Sequence, residues 1–190
     1  SHFDRSNFAV EMHQCYLDLV TAGTAVLLFE EAAPGESAAF RFSAVPLAQV
    51  VLEEGPSGRL DTTFRRSELG IGQLNARFPD ADAVRAFARG RKDDSEVRVG
   101  VIEAVVWTGA FYQYTAVIEA DPLTGGKPRL LANGRFHASP FISFRWLKAP
   151  GETYGRSPVM KALPDIKTAN KVVELVLKNA SIAVPGIWQA

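Results

Sequence analysis

The sequence predicts an α+β fold, with antiparallel strands, helical inserts and a long C-terminal helix. Three observations lead there. An amphipathic stretch ends at Gly23 and passes directly into the apolar, strand-forming run Thr24 to Phe29. The middle of the chain alternates short strand-like runs with Gly/Pro turn signals. From Ser157 on, apolar residues recur at helical spacing for about 24 residues, roughly twice the mean helix length. Strands in succession followed by a long helix read as α+β rather than as alternating βαβ units.

The elements follow in order. Ser6 can cap a helix through Phe8, Met12, Cys15, Tyr16, Leu19 and Val20, and Gly23 suits the left-handed turn that closes it. Phe40 to Leu47 alternates apolar and polar residues, and Pro46 confines that strand to an edge or an end. Val50-Val51-Leu52, the turn Gly55-Pro56-Ser57-Gly58 and Leu60 to Arg66 form a hairpin. Ser67 is expected to cap a short helix from Leu69 to Phe78, with a second helical piece from Ala81 to Ala88. Val97 to Thr108 is the best strand pattern, with Tyr112 to Glu119 as its partner through Gly109-Ala110. After the turn at Asp121 to Gly126, Leu130-Leu131 and Phe141 to Trp146 supply the last strands.

The long helix has a marked start. Ser157 is a good N-cap, and Pro158 at the first helical position loses no needed hydrogen bond. Gly155 is expected to turn the chain sharply with a positive φ. Val159, Leu163, Ile166, Val173, Val176, Leu177 and Ala180 mark an apolar face, and Lys167, Lys171 and Lys178 with Glu174 mark another. Pro164 is expected to kink the helix, and Pro185-Gly186 to close it.

Composition excludes several classes. The 190 residues are 47% hydrophobic and carry a formal net charge of zero, so a strongly basic nucleic-acid binder is not indicated. The region after Tyr154 is locally basic: Arg156, Lys161, Lys167, Lys171 and Lys178 face Asp165 and Glu174. Cys15 is the only cysteine, which rules out an intrachain disulfide and a cysteine metal cluster. No apolar run approaches the ~18 residues of a membrane span. The N-terminus lacks the charged and apolar regions of a signal peptide.

Chemistry-bearing patterns are sparse, and no catalytic, metal or cofactor residues are assigned. His2, His13 and His137 have no metal-ligand spacing, and no phosphate-cradling or nucleophile-elbow motif occurs. Cys15 falls on the apolar face of the first helix and reads as a buried thiol. Glu30-Glu31, Glu53-Glu54 and Asp93-Asp94 read as solvated pairs, and Trp107, Trp146 and Trp188 as core or subunit contacts.

Two segments carry a resemblance. Tyr154-Gly155-Arg156-Ser157-Pro158, followed by Leu163, Asp165, Ile166, Lys167, Asn170 and Glu174, resembles the head-to-tail connector (portal) proteins of short-tailed phages. Leu17 to Leu28, a helix entering a strand through Ala22-Gly23-Thr24, is similar to the wing motif of the same family, with Thr24 where Asn is also common. The strand–turn–strand at 50–66 resembles the wing hairpin. The resemblance implies a wing-like domain over 1–153, then a stem helix and the start of the clip over 154–190. Gly155, Arg156, Ser157 and Pro158 would form the wing–stem turn.

What the resemblance implies about function is structural. It implies a dodecameric ring at a capsid vertex, in the virion and, during assembly, in the host cytoplasm. Its partners would be other copies, the terminase, capsid and tail proteins, and double-stranded DNA passing without sequence readout; no membrane is involved. It implies no enzymatic activity and no cofactor. Lys167, Lys171 and Lys178 read either as a solvated face or as a row turned toward phosphates or a neighbouring subunit. The reading from residues alone leaves an alternative, a ligand-binding or enzymatic α+β domain with a C-terminal helix.

Overall fold

A computed structural model describes residues 3, 5–31, 38–79, 81, 98–121 and 126–183. The fold is α+β, with two antiparallel sheets. Its elements are α1 (Phe8–Ala22), β1 (Thr24–Glu31), β2 (Phe40–Val45), β3 (Val50–Glu54), β4 (Leu60–Gly70), α2 (Ile71–Arg77), β5 (Arg98–Trp107), β6 (Tyr112–Asp121), β7 (Lys127–Phe136), β8 (Phe141–Arg145) and α3 (Pro158–Ala183). A single 3-10 turn, Leu47–Gln49, joins β2 to β3. The smaller sheet has the order β2-β1-β8, and the larger β3-β4-β5-β6-β7.

The layers follow from side-chain alternation. On β1, Ala25 and Leu27 face α1 and pack with Cys15, Leu19 and Phe42. Val26 and Leu28 face the other way and pack with Val45, Val50, Leu52, Val105 and Phe141, so this core lies between the two sheets. The same face of the larger sheet continues through Val99, Val101, Ala116 and Ile118, where Leu74 and Phe78 from α2 and its C-terminal flank cover it. The smaller sheet and α2 thus share one face of the larger sheet, each covering half.

Glu103 sits at the seam between these halves. It lies on the inward side of β5, between Val101 and Val105, and is 1% exposed. Arg77 from α2 reaches one carboxylate oxygen at 2.9 Å, and the Tyr114 hydroxyl donates to the same oxygen at 2.9 Å. Arg77 also pairs with Glu30 on β1 at 2.9 Å, and Arg65 on β4 lies 3.6 Å from the second Glu103 oxygen. Burial lowers the pKa of Arg65, against the attraction of Glu103, and burial with Glu103 beside it raises that of Tyr114. The expectation of a solvated Glu30 is corrected, because Arg77 draws Glu30 into this group.

Most strand expectations hold. Pro46 ends β2, and the hairpin of β3 and β4 turns at Gly55–Gly58. The expected Ser67 helix cap is corrected. β4 runs on to Gly70, Ser67 is buried in it opposite Val101, and the helix starts only at Ile71. Nine paired positions from Thr62 to Gly70 against β5 outweigh a local capping preference. The piece expected at 81–88 lies outside the described residues apart from Ala81. Trp107 and Trp146 are 37% and 56% exposed and are not core residues; Trp188 lies outside the described residues.

At the start of α1, Asn7 rather than Ser6 stands at the boundary. The Ser6 hydroxyl accepts from the Phe8 N–H at 3.3 Å, while the Asn7 side chain bonds both backbone groups of Phe42. Glu11 accepts from the Ala44 N–H at 2.7 Å, so α1 covers the outer edge of β2. Cys15 is fully buried, as its pattern predicts, and burial pushes its thiol up to about 11. Its thiolate fraction at pH 8 is therefore about one in a thousand. A thiol-exchange reagent at pH 8 is expected to label Cys15 only as fast as the protein unfolds. Labelling at the rate of a free thiol would show that α1 opens locally.

Candidate functional site: the joint at the root of the long helix

The two segments singled out in the sequence, Ala22 to Thr24 and Tyr154 to Pro158, meet. Gly23 closes α1 in the left-handed region, with φ 77° and its N–H bonded to the Leu19 carbonyl. Its carbonyl accepts from Trp146 at 2.9 Å, at the end of β8. The Thr24 hydroxyl is fully buried and accepts from the Gly155 N–H at 2.7 Å. One residue on, the Arg156 N–H donates to the Leu147 carbonyl at 2.8 Å.

The Gly155 and Gly23 backbones touch. A Cβ placed on Gly155 would lie 2.1 Å from the Gly23 oxygen and 2.9 Å from the Arg145 Cβ. A Cβ on Gly23 would lie 2.4–2.6 Å from backbone atoms of residues 155–157. The expectation of a positive φ at Gly155 is corrected, since Gly155 is not among the glycines with positive φ. What requires glycine there is the close approach of two backbones.

Ser157 caps α3 as the sequence predicts. It is fully buried, and its hydroxyl accepts from the Met160 N–H at 3.0 Å. Pro158 is the first helical residue. Arg156 points outward and pairs with Glu152 at 2.6 Å, and this bond holds the Glu152 carboxyl below its usual range. Ser157→Ala is expected to cost about 1 kcal/mol, the usual value for a cap, because the part-buried Met160 N–H loses its acceptor. Chemical denaturation measures this; a change below about 0.5 kcal/mol would mean that water replaces the hydroxyl.

Residues outside the predicted turn complete the joint. The Tyr154 hydroxyl accepts from the Leu52 N–H at 3.2 Å, on the edge of β3. Arg145 donates to Glu54 at 2.6 Å and to the carbonyls of Thr153 and Gly58 at 3.0 Å each. Lys148 reaches the other Glu54 oxygen at 2.7 Å. Arg145 first and Lys148 second hold the Glu54 carboxyl below its usual range, so Glu54 is corrected from a solvated residue to an anchor of the joint. Arg145 was not singled out from the sequence, and the anchoring roles of Thr24 and Glu54 were not foreseen; only contacts across 91 to 131 residues reveal them.

Beyond the joint, α3 runs for 26 residues, about 39 Å at 1.5 Å per residue. The helix continues through Pro164. Every position from Val159 to Ile182 is exposed. Lys167, Lys171 and Lys178 lie on one side, with Lys171 paired to Glu174 at 2.9 Å. At 100° per residue, Val159, Ile166, Val173 and Leu177 fall on one flank of this row, and Val172 and Leu175 on the other. The clip start expected after Pro185 lies outside the described residues. The described residues hold no cluster of three metal-ligating side chains, and no helix long and apolar enough to cross a membrane.

A family model described as bacteriophage head to tail connecting protein matches residues 1–190. The chain belongs to this family. It is a structural component of the phage head-to-tail assembly, and its place is the virion. The family's role is a structural one. Among curated proteins, none matches this connector.

Proposed function

We propose that this connector chain is a portal subunit, with residues 1–153 acting as a wing-like domain and 154–190 as a stem helix leading toward the clip. One observation carries the proposal. A 26-residue helix is fixed at its root by buried hydrogen bonds and left exposed along its length, with apolar flanks on both sides of a basic row. Such a helix suits a place between two equivalent neighbours in a ring, each covering one flank. The turn Gly155 to Pro158 then sets the angle between wing and stem. Twelve copies would form the ring at one capsid vertex, dock the terminase, contact capsid and tail proteins, and pass double-stranded DNA during packaging and ejection. The ring would assemble in the host cytoplasm.

Electron microscopy of the full-length protein tests this reading. Rings with a central hole are the expected result, and a compact monomer would overturn it. The lysine row has its own test. If Lys167, Lys171 and Lys178 face the channel, replacing all three with Gln leaves folding intact and changes DNA packaging in a salt-dependent way. Equal packaging by mutant and parent at low and high salt would assign the row to solvation alone.

A further inference from the structure

We propose that the outer edge of β8 is a docking site for an extended acidic peptide of a partner protein, which would add to the smaller sheet as a fourth strand. This inference is independent of the portal reading. It starts from what covers the sheet edges at β2, β3 and β8. The edge of β2 is closed by Asn7 and Glu11, which bond the backbones of Phe42 and Ala44. The Leu52 N–H on the edge of β3 is taken by the Tyr154 hydroxyl. The edge of β8 is treated differently.

β8 pairs antiparallel with β1, with Ala25 opposite Phe144 and Leu27 opposite Ile142. Bonds from Trp146 to the Gly23 carbonyl and from Phe29 to the Pro140 carbonyl fix which residues face inward. In an antiparallel ladder these alternate, so Ile142 and Phe144 bond to β1, and Phe141, Ser143 and Arg145 point their N–H and C=O groups outward. Ser139 satisfies both outward groups of Phe141. Among the described residues no group bonds the outward backbone of Ser143 or Arg145. The Ser143 hydroxyl is buried and without a partner as well. The Ser143 side chain thus adds an unpaired buried oxygen to an edge whose outward backbone groups have no partner among the described residues.

This edge lies in a cleft of about 850 Å³. All five residues of β8 line it, so its wall is the strand's edge rather than one face. Across from it stand Arg59 in the β3–β4 turn, Asp61 at the start of β4, and the ring pair Trp107 and Tyr112, whose centroids are 4.8 Å apart. Five residues at about 3.3 Å each give a groove of about 17 Å, enough for a strand of similar length. Backbone bonds to Ser143 and Arg145 would supply register, and alternate side chains would meet the aromatic pair.

Charge selects the partner. Arg59, Arg145 and Lys148 line the cleft against one carboxylate, Asp61. The excess stays positive after Glu54 is set against Arg145 and Lys148. An acidic strand with apolar residues at alternate positions fits this lining.

The test uses the 190-residue chain and an acetylated Glu-Val-Glu-Val-Glu-Val amide as probe. Binding is read by anisotropy of a labelled probe, and the edge by hydrogen exchange at single amides. The Ser143 and Arg145 amides are expected to exchange fast in the free chain and to slow on adding the peptide. A Lys-Val counterpart, or the Glu-Val peptide N-methylated at alternate residues, is expected to bind about tenfold more weakly. Arg59→Glu, on an exposed side chain, should weaken the acidic peptide by a similar factor and leave the fold unchanged. Three results would overturn the proposal. The amides could be protected in the free chain, which means that the edge is already covered. Protection could rise with protein concentration alone, which means that a second copy occupies it. Or the acidic peptide could bind no better than its lysine counterpart, or without slowing these amides.

Discussion

Gly155→Val is expected to destabilise the protein by about 4 kcal/mol and, on the proposed portal reading, to abolish ring formation. The reason is contact, not backbone preference. The new Cβ would stand 2.1 Å from the Gly23 oxygen, and both atoms around the gap belong to backbones held by hydrogen bonds. Moving the 154–158 turn outward would break the buried bond from Gly155 to Thr24, leave the Thr24 hydroxyl unpartnered, and lift the Ser157 cap with it. Gly151 provides the control. It has φ 76° but open space around its would-be Cβ, so Gly151→Ala should cost only about 1–2 kcal/mol. Urea titration separates the two mechanisms. If Gly155→Ala cost no more than Gly151→Ala, the close approach would not be what requires glycine at 155. If Gly155→Val left rings and particle yield unchanged, the turn would have no part in setting wing against stem.

That pair of glycines shows how far the sequence could be read. Gly23 was legible because the left-handed end of a helix is a local event, set by a pattern within about five residues. Ser157 and Pro158 were legible for the same reason. Gly155 was recognised as a necessary glycine, but its cause was misassigned, since the partner backbone lies 132 residues away in the sequence and leaves no local trace. Ser67 went wrong in the opposite direction: a plausible cap followed by helical spacing was overridden by strand pairing with β5. Thr24 and Arg145 carry the joint through long-range bonds. Thr24 was noted only as a position in the wing motif, and neither a threonine after a helix-closing glycine nor an arginine at a strand end announces a bond to so distant a partner.

Glu103→Gln is expected to cost about 3 kcal/mol, the second largest effect, although the new side chain fits and can still accept from Tyr114. Its cause is uncompensated charge. Arg77 keeps Glu30, but Arg65, with only 13% of its side chain exposed, would lose its nearest carboxylate, and Gln49 at 3.4 Å is neutral. The alternation of β5 places an apolar residue at each neighbouring inward position, so nothing in the local pattern marks 103 as an ion-pair site. The group is worth most as a seam: it joins β1, α2 and the larger sheet, with Tyr114 packed against both apolar clusters. A double replacement separates charge from packing. Glu103→Leu with Arg65→Met removes both ions and extends the apolar face from Val101 to Val105. It should recover most of the loss, because a buried pair contributes little beyond what well-packed apolar side chains would. Denaturation of the two single variants and the double variant gives the coupling, expected at about 2 kcal/mol. Simple additivity would mean that Arg65 and Glu103 act independently, and that the seam is held by Arg77 and Tyr114 alone.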